Sequence, residues 1–322
     1  MAAAGAGAAE SVSAYCSMSQ VDCETITKAF TADTGIEVKF ISLSAGENLA
    51  RIKAERNNPK TAVWIGGSAD VYIQAASERL LEPYVAKGAD RIDAKYKDPQ
   101  NFWTPTSWAP LGIESNRKLL KELGIGAPAS WEELTHPALR GSIVLAHPAS
   151  SGTGFAVLAT LVQAYGEERG FALMRDIAKN VAQFTKSGGA PANMTALGQA
   201  AVAVSYVMDI ELARSKGYDV EATFPASGTG YGINAVALIA NGPKAQAANA
   251  RAFVDWILTE NGQKAVAKSF WRPVVPGVPN ENAIVDTSKV KLMNYDAFWA
   301  GENRARLLQK FEAEISSRAQ AK

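Results

Sequence analysis

Hydrophobic positions in the first hundred residues follow two alternating periods. Residues 11–15, 37–41 and 63–65 are short β-rich runs that read as strands, the last of them apolar throughout. Between them, residues 23–34 and 46–57 place apolar side chains three and four apart, and the first of these runs stops at Gly35, as amphipathic helices do. Strand, short loop and helix in repeated order predict an α/β fold, with a mainly parallel sheet covered by helices. Such sheets bind ligands at the carboxyl ends of their strands, so the loops there become the candidate site. Three of them are small and polar: one carries Ser17, one carries Ser44 and Gly46, and one carries Gly67 and Ser68. Each opens a helix, where unpaired N–H groups and the positive end of the dipole suit a carboxylate, sulfonate or phosphate.

A second series begins near residue 110. It predicts a helix at 130–135, a strand at 142–145 and an apolar helix at 155–165, with Ser151, Gly152, Thr153 and Gly154 at the start of the last. That segment concentrates hydroxyls and unhindered amides, but it lacks the Gly-Lys-Ser/Thr of a nucleotide-binding loop. Residues 184–190 read as a strand-to-helix turn holding Ser187 and Gly188, and 201–209 as an apolar strand ending in Tyr206 and Asp209. Ser227 and Thr229 precede another apolar strand at 234–239, where the chain crosses back. Helices at 251–259, 263–268 and 300–321 are expected to return to the first lobe, their charges on solvated faces. The boundaries are therefore 11–109 for the first part of lobe one, 110–224 for lobe two, and 225–322 for the return.

A chain of 322 residues exceeds one ordinary core, and 47% hydrophobic residues suffice for two. Lysine plus arginine number 33 against 32 acidic residues, which excludes the basic excess that nucleic acid requires. No apolar run approaches the ~20 residues of a membrane span. Residues 1–10 are small, with no basic segment and no long apolar one, and are read as an added start on a mature exported chain, which places the protein in the periplasm. Cys16 and Cys23 lie seven apart; they either close a small disulfide ring, which an oxidising compartment would preserve, or remain two half-buried thiols. His136 and His147 each precede a proline and read as turn residues. With no Gly-x-Ser-x-Gly and no His-Glu-x-x-His, the chain calls for no cofactor, and binding is favoured over catalysis.

In order along the chain, Tyr15-Cys16-Ser17, Cys23, Phe30, Gly35, the stretch from Gly46 to Pro59, Val63 to Gly67, Ser151 to Gly154, Lys186 to Gly188 and Gly228 to Tyr231 resemble the ferric-type periplasmic binding proteins of ABC transporters. The resemblance runs from about residue 11 to 275 and is nearest to the subgroup that carries sugar phosphates or related organic anions. It implies the two-lobed class II fold, with crossover strands near 108–114 and 224–234 serving as hinges. It also implies a small anionic organic ligand (phosphorylated, phosphonate, sulfonate or carboxylate), a membrane permease or sensor as partner, and a monomer. Ferric binders present adjacent tyrosines; here Tyr206 is followed by Val207, so the ferric alternative rests on Tyr206, Asp209 and an exogenous anion. Sugar-phosphate binders carry His-Asp where this chain has Met208-Asp209, and Glu where it has Ser227. In that frame Ser44, Ser151, Thr153 and the Ser187 and Gly188 amides hold the acidic group, while Asp209, with Ser227 or Thr229, reads a hydroxyl or amine at the other end.

Overall fold

A computed structural model describes residues 11–316. The readings of residues 1–10 and of the tail beyond 316 fall outside them. The chain runs β1 (Ser11–Cys16), α1 (Gln20–Thr34), β2 (Glu37–Ser42), α2 (Ala45–Ala54), β3 (Val63–Ser68), α3 (Ala69–Ser77), β4 (Leu81–Glu82) and β5 (Thr104–Asn116). It continues with α4 (Arg117–Leu123), β6 (Ile143–Ala146), α5 (Gly152–Tyr165), α6 (Glu167–Ala178), β7 (Val181–Thr185), α7 (Ala190–Ala196), β8 (Val202–Tyr206), α8 (Val207–Ser215), β9 (Val220–Thr223) and β10 (Tyr231–Ile239). Last come α9 (Ala247–Ile257), α10 (Glu260–Ala267), β11 (Arg272–Pro273) and α11 (Ala297–Phe311).

Each lobe is built on three parallel strands. In the first they lie in the order β2-β1-β3, and in the second β7-β6-β8. The antiparallel strands β10 and β5 stand between them and carry the chain from lobe to lobe. Residues 104–110 of β5 pair with β10, whereas 111–115 pair with β8, so one thirteen-residue strand belongs to both halves. Pro105 and Pro110 hide this strand in the sequence, because proline gives no N–H to a ladder; the β10–β5 register slips beside Pro105. The return crossing lies alongside, where the Leu111 N–H donates to the Gly230 carbonyl at 2.9 Å.

Local chemistry sets the helix limits. Ser19 caps α1 by accepting from the Asp22 N–H, and Gly35 ends it at φ 75°, a left-handed conformation that glycine adopts without strain. Ser44 and Glu47 close a capping box on α2. The expected strand over 201–209 is corrected: extended backbone stops at Tyr206, and Asp209 lies in the first turn of α8. The expected helix at 130–135 is a short 3-10 turn at Glu132–Thr135. The tail expectation also changes, because α11 packs across both lobes. Gly301 lies against Ile73 of α3, where a β-carbon would come within 2.6 Å of Ile73 Cβ, while Arg306 and Lys310 pair with Glu167 of α6 at 2.8 and 2.9 Å. Arg304 is buried and bonded to Asp70 at 2.9 Å, so this charge is structural, whereas Arg306, Arg251 and Lys264 keep the solvated positions expected of them.

A cavity at six strand ends

A cavity of about 440 Å³ opens where β1, β2 and β3 of one lobe face β6, β7 and β8 of the other. All six strands point their carboxyl ends at it, and each turns directly into a helix: α1, α2, α3, α5, α7 and α8. The turns are short and polar, so the six helix starts supply the wall. Positive dipole ends and first-turn N–H groups therefore converge on one space. Of the expected residues, Ser17, Ser44, Gly67, Ser68, Ser151, Gly152, Thr153, Ser187, Gly188, Tyr206 and Asp209 line it.

Their roles differ. The Ser17 hydroxyl accepts from Asn48 Nδ2 and from Trp64 Nε1, each at 2.8 Å. With its lone pairs engaged, its proton is left to donate into the cavity, which suits an anion. The loop that carries it is tied down by the Cys16–Cys23 disulfide, which resolves the choice between ring and free thiols. Ser151 caps α5, and the N–H groups of Gly152 and Thr153 have no partner among the described residues. The Thr153 side chain is only 7% exposed, and its hydroxyl makes no hydrogen bond there either. Gly188 lies against both hydroxyls: a β-carbon on it would come within 2.3 Å of Thr153 Oγ1 and 3.0 Å of Ser151 Oγ. Across the cleft, a β-carbon on Gly152 would meet Ser68 Oγ at 2.1 Å.

Two expected donors are committed elsewhere. Ser44 Oγ donates to Glu47 at 2.7 Å, and Glu47 in turn accepts from Lys186 of the other lobe at 3.0 Å. Ser68 donates to Asp70, which Arg304 holds. Three expected site residues lie outside the cavity. The Gly46 N–H donates to the Ser150 carbonyl at 3.3 Å, a contact between the two closed rims. Thr229 is fully buried beside the crossing strand, donating to the Leu111 carbonyl at 3.0 Å. Ser227 is exposed in the turn between β9 and β10.

Asp209 accepts from Ser205 Oγ at 2.7 Å through one carboxylate oxygen. Burial, with the charge of Asp22 added, pushes its pKa up to about 7. Asp22, in the first turn of α1, is buried and its pKa is raised by that burial, against hydrogen bonds from Ser269 and Ser19. Sequence reasoning missed Asp22. Its signal was the Ser19-x-x-Asp22 spacing at the mouth of a helix already known to open the site. Met18, Asn234 and Trp271 were also missed; they complete the wall from loops far apart in sequence. Burial, and then Asp70, raise the Tyr206 phenol well above its usual range. Both histidines are turn residues as expected, with Nδ1 accepting the N–H two positions on, from Ala138 and Ala149. Among the described residues, no three His, Cys, Asp or Glu side chains converge to hold a metal, and no helix is long and apolar enough to cross a membrane.

Two parallel-sheet lobes, two crossing segments and a polar cavity between helix starts define a solute-binding clamp of the periplasmic type. The chain belongs to the bacterial extracellular solute-binding protein family, whose model matches residues 58–299. The periplasmic binding protein AfuA from Actinobacillus pleuropneumoniae, solved with exogenous fructose-6-phosphate, superposes with a TM-score of 0.92 at 33% identity, covering 96% of this chain and 99% of AfuA. An uncharacterized protein of Haemophilus influenzae is 35% identical over 311 residues, 94% of this chain and 89% of that one. A periplasmic protein of Salmonella typhimurium named for 2-aminoethylphosphonate binding is 27% identical over 251 residues, 76% of this chain and 71% of the relative.

Proposed function

We propose that the protein captures a small organic phosphate or phosphonate outside the cytoplasm and delivers it, as a monomer, to the membrane permease of an ABC transporter. The carrying observation is the set of unpaired donors at the α5 start, the Gly152 and Thr153 amides and the Thr153 hydroxyl, facing the free Ser17 proton from the other lobe. Such convergent neutral donors hold a tetrahedral anion without a lysine. The relatives that bind fructose-6-phosphate and are named for 2-aminoethylphosphonate support the same ligand chemistry. The ferric alternative gains nothing from the cavity, whose one phenol, that of Tyr206, belongs to a buried residue.

In this reading residues 11–109 and 225–322 form one lobe, 110–224 form the other, and segments 108–114 and 224–234 flex to open the cleft. The test is calorimetry with phosphate monoesters and alkylphosphonates. Thr153→Ala or Ser151→Ala removes a hydrogen bond to charge or the cap that presents it, worth roughly 1.5–3 kcal/mol, so affinity should fall tenfold to a hundredfold. Unchanged affinity in both variants would show that these groups only cap a helix. Small-angle scattering should give a smaller radius of gyration with ligand than without.

A further inference from the structure

The chain passes between the lobes a third time. After β11 it runs back alongside the crossing strands, where the Thr229 N–H donates to the Lys291 carbonyl and the Met293 N–H to the Thr229 carbonyl, both at 3.0 Å. It then opens α11, which rests on both lobes: Gly301 lies against Ile73 of α3, and the Phe311 ring meets Phe184 of β7 with centroids 5.7 Å apart. Between these two points stands Arg304, only 3% exposed, and the lobes share its guanidinium. Its Nε donates to Asp70, in the first turn of α3, at 2.9 Å. Its Nη2 donates to the Pro148 carbonyl, in the loop that leads into α5, at 3.3 Å, and the group lies 5.0 Å from the centroid of the Phe155 ring on α5.

These partners stand directly behind the cavity wall. Asp70 accepts from the hydroxyl of Ser68, which lines the cavity from the first lobe. Pro148 comes three residues before Ser151, and Phe155 two after Thr153, the wall residues of the opposite face. Opening the cleft draws the α3 start away from the α5 start, so the guanidinium must leave Asp70 on one side or the Pro148 carbonyl and the Phe155 ring on the other. A planar fork with donors on several edges and a face for a ring suits this three-way bridge, and the compact ammonium of lysine does not. We propose that Arg304 is the positioning residue that holds the clamp shut: it does not touch the solute, but it ties together the two faces that grip it. This rests on the two-lobed clamp reading above and adds what sets its closed population.

The test is a distance measurement on the full chain, with spin labels on Lys28→Cys of α1 and Lys179→Cys at the end of α6, both exposed, the native cysteines being joined to each other. It is made without ligand and with inorganic phosphate or methylphosphonate. The wild type should show an open and a closed population, the closed one raised by the anions. Asp70→Asn combined with Arg304→Gln removes the bridge without stranding a buried charge, and should lower the ratio of closed to open about tenfold or more. Arg304→Lys keeps a charge beside Asp70 but loses the fork and the flat face, and should lower the ratio too. Arg306→Ala, on the same helix but paired only with Glu167 of the second lobe, should leave it unchanged. Thermal melts confirm that the variants fold. A wild-type ratio in the double variant, full closure in Arg304→Lys, or a wild type with no closed population under any condition would overturn the proposal. If the double variant opens but neither anion raises closure in the wild type, the bridge stands and the anion reading is the one that fails.

Discussion

Among the carboxyl groups withdrawn from bulk water in the described residues, two pairs stand in contrast. Asp70 and Glu211 are scaffold residues. Asp70 meets Arg304 and the Ser68 hydroxyl, and Glu211 meets both terminal nitrogens of Arg272 together with the N–H groups of Ile284 and Val285 at 2.7 Å. Glu114 and Asp209 have no such cation. Glu114 is fully buried on the crossing strand with neither oxygen hydrogen-bonded, and burial, helped by the charge of Asp209, pushes its pKa up to about 9. The first pair is matched by guanidinium groups; in the second, burial holds the proton, up to about 9 on Glu114 and about 7 on Asp209. The same side chain therefore serves as a fixed strut in one place and as a titrating group in another, according to what the fold sets beside it.

The largest effect should come from breaking a strut. Arg272→Met keeps much of the side-chain volume but leaves the Glu211 carboxyl buried and without its cation, and should cost about 3–5 kcal/mol. Denaturant unfolding should show the midpoint falling at unchanged slope, and adding Glu211→Gln should recover much of the loss. A single substitution with an unmoved midpoint would remove the distinction between the two pairs.

The next effect sharpens the other side. Between pH 7 and 8 the unfolded chain has already lost the Glu114 proton, while the folded chain keeps it until about 9. The folded state thus binds more protons, and stability must fall as pH rises, by on the order of 1 kcal/mol per unit for one group. Asp209 adds the same sign below its value of about 7. Glu114→Gln should flatten the slope between pH 7 and 8; a slope retained in that variant would assign it to another group.

The smallest effect is expected at the rim. The Glu47–Lys186 pair bridges the lobes, but Lys186 is 80% exposed, so Glu47→Gln should change stability by less than about 1 kcal/mol. Because the pair spans the two rims of the cavity, any change in ligand affinity should disappear at high salt.

Much of the site was legible in the sequence, because helix capping and glycine turns are local. Ser44, Ser151 and Gly188 announced themselves by spacing alone, and so did the Cys16–Cys23 ring as one of two possibilities. Motif order carried the lobe architecture. Gly46, Ser227 and Thr229 carried the same local signals and do not line the cavity, since small polar residues beside a turn look alike whether they face a ligand, a neighbouring strand or solvent. What neighbours in the chain could determine were the elements, their starts and stops, and a set of donors suited to an anion. Tertiary structure decided which donors remained free. Ser17 is left a donor by Asn48 and Trp64, 31 and 47 residues away, and Arg304 is taken up by Asp70 across 234. It also set Asp22, from the start of α1, and Asp209, from the start of α8, in the wall of one cavity, because only the folded topology joins helix starts so far apart in the chain.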